Sequence, residues 1–153
     1  EFCTTDLHHA GSAVDGAIEG VKALAQHHDL VIVTARGDDR AEVTHKWIDK
    51  NLPGIFSDIV FTNPHHELVE KRKKKSHVCA DLRIDYFVDD HYKNILDVCP
   101  CVKKAFLLDA PWNSIESIKK EMAKEGKEIP EDVFPTNVER VFSWDEIVQK
   151  INA

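Results

Sequence analysis

Three apolar runs in this sequence end directly in side chains able to do chemistry. Val31-Ile32-Val33 is followed by Thr34, Phe87-Val88 by Asp89 and Asp90, and Leu107-Leu108 by Asp109; Lys73, Lys74 and Lys75 lie between the first and second of these. Hydroxyl and ammonium groups hold phosphoryl oxygens, while carboxylates hold a hard cation such as Mg²⁺, which takes few protein ligands and keeps several waters. Gathered at one edge of a sheet, the set suits a phosphate beside a divalent metal. Each member also has a plainer reading. Thr34 suits capping of the segment that follows it, Lys75 suits membership of the solvated basic run 71–75, and Asp89-Asp90 suits a turn followed by an N-cap. Arg36 fits either a phosphate contact or, preferably, a surface ion pair. Asp109 and Trp112 fit loop anchors as well as substrate contacts.

The elements that must position these residues are legible from periodicity. Val14, Ala17, Ile18, Val21, Leu24 and Ala25 recur at three- and four-residue spacing, one face of an amphipathic helix beginning near Asp15. Leu30-Val31-Ile32-Val33 is a continuous apolar run, rich in β-branched residues, suited to a strand buried on both faces. The alternation then repeats. A helix is predicted over 40–51, a break at Pro53-Gly54, a strand over 59–62, a helix over 76–82, and a strand over 86–88 leading into Asp89-Asp90. After these come a helix over 92–98, a strand over 104–108, a polar helix over about 114–126, a strand over 138–142, and a helix from Ser143, where Ser143 and Glu146 fit a capping box. Strands alternating with helices at this spacing predict an α/β fold with a mainly parallel sheet. In such sheets ligands gather at the carboxyl ends of the strands.

Composition narrows the partners. At 153 residues with 42% hydrophobic content the chain can bury one core. A formal charge of -7 opposes an extended nucleic-acid surface, which requires clustered Lys and Arg. No apolar stretch approaches the roughly 20 residues of a membrane span, and no signal peptide opens the chain, so a cytoplasmic location is expected. Four Cys are expected as free thiols, and Cys99-Pro100-Cys101 lacks a second ligand pair at finger-like spacing. The paired histidines His8-His9, His27-His28 and His65-His66 are poor chelates, because sequence neighbours do not share a helix face.

In order along the chain, these stretches resemble the motifs of the haloacid dehalogenase (HAD) superfamily. Val31-Ile32-Val33-Thr34-Ala35-Arg36 is similar to its second motif, Lys75-Ser76-His77-Val78-Cys79 to its third, and Tyr86-Phe87-Val88-Asp89-Asp90 to its fourth. Gly16-Ala17-Ile18-Glu19-Gly20 and Ala110-Pro111-Trp112-Asn113 are similar to the 5'(3')-deoxyribonucleotidase-like branch. The resemblance spans roughly residues 15–151. It implies a Rossmann-like three-layer sandwich and a Mg²⁺-dependent phosphomonoester hydrolase acting on a nucleotide or another small phosphate. It further implies that Thr34, Ala35, Arg36 and Lys75 bind the phosphoryl group, that Thr34, Lys75 and Asp89 are the catalytic set, and that Asp89 and Asp90 hold the metal.

One motif of the resemblance does not match. The superfamily's first motif is an apolar strand ending in Asp-x-Asp, which supplies the nucleophile and the general acid and base. Asp6 follows Phe2-Cys3-Thr4-Thr5 and precedes Leu7-His8, so it is not expected to be that nucleophile. The first, central strand and the cap are therefore expected to be missing or replaced, with residues 1–12 a tail or cap remnant and 13–153 the core domain. The sole Met is Met122, consistent with a processed or partial chain. A vacant central place would leave two buried strand edges unpaired, favouring strand exchange or a homodimer. The expected function is a phosphatase or nucleotidase domain without turnover of its own. The alternative is a non-catalytic interaction or regulatory module that kept the fold.

Overall fold

The computed structural model describes residues 2–4, 8–9 and 12–153, and the side chains of residues 14–153. In chain order its elements are β1 (Phe2–Thr4), β2 (His8–His9), β3 (Ser12–Ala13), α1 (Ala17–Ala25), β4 (Leu30–Thr34), α2 (Ala41–Asn51) and β5 (Phe56–Phe61), then α3 (Lys75–Asp81), β6 (Tyr86–Asp89), α4 (Tyr92–Val98), β7 (Lys104–Leu108), α5 (Ile115–Lys124), β8 (Val138–Val141) and α6 (Trp144–Asn152). Six strands form one sheet in the order β5-β4-β1-β6-β7-β8, and every pairing in it is parallel. β2 and β3 form a separate antiparallel pair.

The two-residue period of the strands sorts the core into two layers. Leu30, Ile32, Val88, Phe106 and Val141 face α1, α2 and α6. Val31, Val33, Phe87, Ala105 and Leu107 face α3 and α4. Because both faces are covered, β4 is buried at all five positions, which accounts for its unbroken apolar run. A smaller cluster of Tyr92, Ile118, Met122 and Val133 seats α5 on α4. The architecture is the expected three-layer α/β sandwich.

The centre of the sheet corrects the sequence reading. Phe2–Thr4 lies between β4 and β6, with Thr4 level with Ile32 on one side and Val88 on the other. The central place is filled, and three residues assigned to a tail or cap remnant belong to the sheet. A strand this short gives no periodic signal. Its place is fixed instead by the backbone groups of β4 and β6, whose burial demands partners whatever side chains the inserted strand carries. The structural ground for expecting strand exchange through an open sheet goes with this correction. Asp6 lies outside the described residues.

Smaller differences have local causes. β5 begins three residues before the predicted strand, because an edge strand pairs on one side only and so admits the exposed Ser57 and Asp58; the Ser57 hydroxyl also donates to the Leu30 carbonyl at 3.1 Å. At α6, Ser143 Oγ accepts from Glu146 N at 3.1 Å as a capping box requires. The return bond runs from Phe142 N to Glu146 Oε2 at 2.8 Å, one residue upstream of the expected donor.

α1 and α6 meet through Gly20, where an added Cβ would lie 3.0 Å from Trp144 Cβ and Cε3. Trp144 Cβ sits next to the backbone and cannot swing aside. A Gly20→Val substitution is therefore expected to destabilise the fold by about 2 kcal/mol, the overpacking outweighing any gain in helix propensity. Urea unfolding checks this, and an unchanged midpoint would show that the helices separate freely.

Candidate functional site

The carboxyl ends of β4 and β6 flank that of β1, so Thr34 and Asp89 face each other across one intervening strand. At the usual strand spacing their backbones are about 10 Å apart, room for a phosphoryl group between them. Lys75 enters from α3. Of the basic run 71–75, residues 71–74 are exposed and Lys75 alone is buried, at 6% exposure. Its ammonium donates to Asp89 Oδ2 at 2.9 Å, and the Asp89 side chain is wholly buried. The solvated-run reading therefore holds for 71–74 and fails for Lys75.

Asp89 also accepts from Asn94 Nδ2 at 3.0 Å and from His91 N at 2.8 Å. These bonds, with that of Lys75, engage three of the roughly four lone-pair positions of a carboxylate. Such a buried charge is tolerated because it is paired and hydrogen-bonded. Asp90 follows at the surface, half-buried, and its main-chain carbonyl accepts from Trp112 Nε1 at 3.2 Å and from Asn113 Nδ2 at 2.7 Å. Among the described residues no group of three or more His, Cys, Asp or Glu could hold a metal ion. Two adjacent carboxylates nevertheless fit Mg²⁺, which is commonly bound by one or two carboxylates and otherwise by water and substrate oxygens.

Thr34 is 4% exposed, and its Oγ1 accepts from Arg36 N at 3.2 Å. That is a local turn closed by the hydroxyl rather than a helix cap, since the short helical segment 38–40 starts after Gly37 with no side-chain cap, and the hydroxyl keeps its own proton to donate. The Thr34 carbonyl is gripped twice by Thr62, through N at 2.9 Å and Oγ1 at 3.0 Å. One residue further, Asn63 Oδ1 accepts from Asp38 N at 2.7 Å and its Nδ2 donates to Asp38 Oδ1 at 3.2 Å, tying together the loops after β4 and β5. Asn63 pays for this place with a left-handed backbone, φ 50°, a conformation Asn tolerates better than most residues. Ala35 is exposed between these fixed points. The Arg36 guanidinium donates to Thr44 Oγ1 on α2 at 3.1 Å.

Asp109 and Trp112 both bond within the fold, Trp112 to the Asp90 carbonyl and Asp109 to Arg140. Arg140 from β8 donates to Asp109 Oδ1 at 2.7 Å, to Asn113 Oδ1 at 2.8 Å and to the Asn113 carbonyl at 2.7 Å. Sequence reasoning missed Asn94, Thr62, Asn63 and Asn113. For Asn94 a signal existed, since a polar residue at the third helical position reaches back toward the chain entering the helix. Of the histidine pairs, the side chains of His8 and His9 lie outside the described ones; His28 Nε2 lies 2.9 Å from Asn152 Oδ1, and His66 Nδ1 accepts from Leu68 N at 3.0 Å. Cys79 and Cys99 are buried free thiols and Cys101 is an exposed one. Burial pushes the Cys99 thiol up from its ordinary value, with Cys101 adding to the effect. Among the described residues, no helix is long and apolar enough to cross a membrane.

No protein-family profile matches the chain. It is 26% identical over 140 residues to YqfW of Bacillus subtilis, a candidate nucleotidase by name, covering 89% of this chain and 58% of that one. To BH1399 of Halalkalibacterium halodurans, likewise named a candidate nucleotidase, it is 25% identical over 134 residues, covering 86% of this chain and 55% of the other. The chain thus spans little more than half the length of the curated relatives it matches. In fold it is similar to the crystal structure of YfnB from Bacillus subtilis, described as a candidate HAD-hydrolase bound to magnesium, with a TM-score of 0.61 at 15% identity, covering 94% of this chain and 56% of that one. The order of the motif-bearing strands, the fold and the sequence likeness to nucleotidases together relate this chain to the haloacid dehalogenase-like superfamily.

Proposed function

We propose that this chain holds the phosphate-binding and acidic side of a Mg²⁺-dependent phosphomonoesterase site of the nucleotidase kind. The observation that carries the reading is the buried Lys75–Asp89 pair at 2.9 Å, placed at the carboxyl edge of the sheet with Asp90 next to it and Thr34 two strands away. Burying an ion pair costs several kcal/mol of desolvation that the pairing only partly offsets, and apolar residues would have stabilised the core as well. A charged pair kept at a ligand-facing edge is better accounted for by a role there.

In this reading the Thr34 hydroxyl, the Ala35 main chain, Arg36 and the Lys75 ammonium hold the phosphoryl oxygens. Lys75 also orients Asp89, and Asp89 and Asp90 supply the carboxylates for the metal. Mg²⁺, when bound, contributes Lewis-acid stabilisation of charge on the phosphoryl oxygens. The nucleotidase names of the relatives favour a nucleotide or a similar small phosphate as the ligand. The sequence contains no Asp-x-Asp, and the chain is proposed to bind phosphate without turning it over.

The test combines calorimetry of inorganic phosphate with Mg²⁺ and a phosphate-release assay on nucleoside monophosphates and an aryl phosphate. Phosphate is expected to bind the chain, to bind Asp89→Asn at least tenfold more weakly, and to be released from no substrate. Release that disappears in Asp89→Asn would uphold the site and overturn the proposed inactivity. Failure of phosphate to bind with Mg²⁺ present would sink the reading.

A further inference from the structure

The loop after β5 and helix α3 border an open groove of about 600 Å³, within the roughly 300–1,000 Å³ of small-ligand sites. Arg72, Lys73, Lys74 and His77 line it together with Val69 and Asp81. The three cations are exposed, whereas the next residue, Lys75, is buried against Asp89. Neither Lys75 nor Asp89 belongs to the groove.

Two observations mark it as a place for an anion. Among the described residues no carboxylate pairs with Arg72, Lys73 or Lys74, whereas Lys93 and Lys103 each have a carboxylate partner at 2.9 Å. Three consecutive like charges are thus left without compensation in a chain whose net charge is -7. The backbone that carries them is also fixed: Lys73 N donates to the Thr62 carbonyl at 2.7 Å and Arg72 N to the Val69 carbonyl at 3.0 Å. Arg72 Nε donates to the His66 carbonyl at 2.7 Å. That bond sets the plane of the guanidinium and leaves its two terminal nitrogens for another acceptor, the fork that grips phosphate oxygens in pairs.

An exposed ion pair contributes little by itself, so a ligand must meet several of these cations at once, and the Asp81 carboxylate weighs further against a single small anion. An extended acidic peptide turns alternate carboxylates to opposite sides. Every unit of a phosphate chain carries charged oxygens, the better match to consecutive cations around one groove. We propose that the groove binds a linear polyphosphate of two or more linked phosphates, free or as the tail of a nucleotide, with Arg72 gripping one phosphate and Lys73 and Lys74 neutralising the next. The proposal does not depend on the phosphomonoester reading.

Calorimetry on the whole chain with sodium tripolyphosphate, without Mg²⁺, tests it. Arg72→Gln is expected to weaken binding about tenfold, as the loss of a bidentate charged contact, and Lys74→Gln about threefold, as the loss of one exposed charge. Asp81→Asn, which removes a like charge from the wall, is expected to strengthen binding about threefold. Lys120→Gln on α5, outside the groove, changes the net charge equally and is expected to have no effect. If Arg72→Gln does not fold, Lys74→Gln and Asp81→Asn decide. Adenosine triphosphate binding more tightly than tripolyphosphate, and weakened in Arg72→Gln, would make a nucleotide tail the source; weaker binding would make it free polyphosphate, and either upholds the groove. Absence of tripolyphosphate binding, equal affinity in all variants, or a loss in Lys120→Gln as large as in Arg72→Gln would overturn the proposal. Hexaglutamate binding as tightly as tripolyphosphate would overturn the phosphate class in favour of an acidic peptide. Phosphate binding with Mg²⁺ is expected to be unchanged in Arg72→Gln, so the groove and the phosphomonoester site stand or fall separately.

Discussion

Replacement of Lys75 by Met is expected to lower the stability of the fold by about 3 kcal/mol, at the lower end of the cost of stranding one member of a buried ion pair. The lower end applies because Asn94 and the His91 N–H still donate to Asp89 after the lysine is gone. For a domain of this size the loss corresponds to about 6–12 °C in Tm. Adding Asp89→Asn should restore most of the lost stability, since both charges then disappear together and the amide keeps a hydrogen-bonding role. The same double variant should not regain phosphate affinity. Thermal unfolding and phosphate calorimetry on the single and double variants therefore separate the two roles of the pair: recovery of both would reduce Lys75 and Asp89 to structure. A loss below about 0.5 kcal/mol in Lys75→Met, the level of ordinary surface substitutions, would show that the pair is not buried in solution.

The contrast between Lys75 and its neighbours shows where sequence reading runs out. Residues 71–75 read as one basic run, and nothing in composition distinguishes its last member. The helix does: Lys75 opens α3 on the side where Val78 and Cys79 pack into the core, and the i, i+3, i+4 relation turns its side chain inward. That relation was available in the sequence, and so was the strand ending at Asp89; their meeting at 2.9 Å was not. The central strand was hidden for a different reason. Phe2–Thr4 is held by the partners it pairs with, and its own side chains carry no signal, so a pattern search finds nothing. The long buried strands and amphipathic helices were legible because burial on a regular element writes a period into the sequence. Thr62, Asn63 and Asn113 were not, because they act through single bonds between loops distant in sequence, and a lone Asn or Thr in a loop reads only as a turn former.

Asn113 is the strongest case of such a loop bond, and Asn113→Asp is expected to be the most damaging single-atom change at this edge. The side chain is fully buried. Its Nδ2 donates to the carbonyls of Asp90 at 2.7 Å and Leu108 at 2.8 Å, while its Oδ1 accepts from Ala110 N at 3.0 Å and from Arg140. A carboxylate keeps the accepting half and inverts the donating half, setting an anionic oxygen against two carbonyl oxygens. Each carbonyl loses a donor, although that of Asp90 keeps Trp112 Nε1; at about 1–3 kcal/mol for a buried group that loses its partner, with the added repulsion, the expected loss is about 3 kcal/mol at neutral pH, Arg140 offsetting part of it. The introduced carboxyl has its folded pKa raised by those carbonyls, so the folded state takes up its proton first as pH falls. The stability it withholds is fully missing above the folded pKa and returns progressively below it, where a protonated oxygen again donates to one carbonyl. Urea unfolding at pH 7 and pH 5 should thus show a larger deficit relative to the parent at pH 7. A deficit that grew toward pH 5 would mean that Arg140 dominates and holds the new carboxylate ionised. In that case β8, through Arg140, rather than the Asp90 carbonyl, sets the position of the loop that carries Trp112.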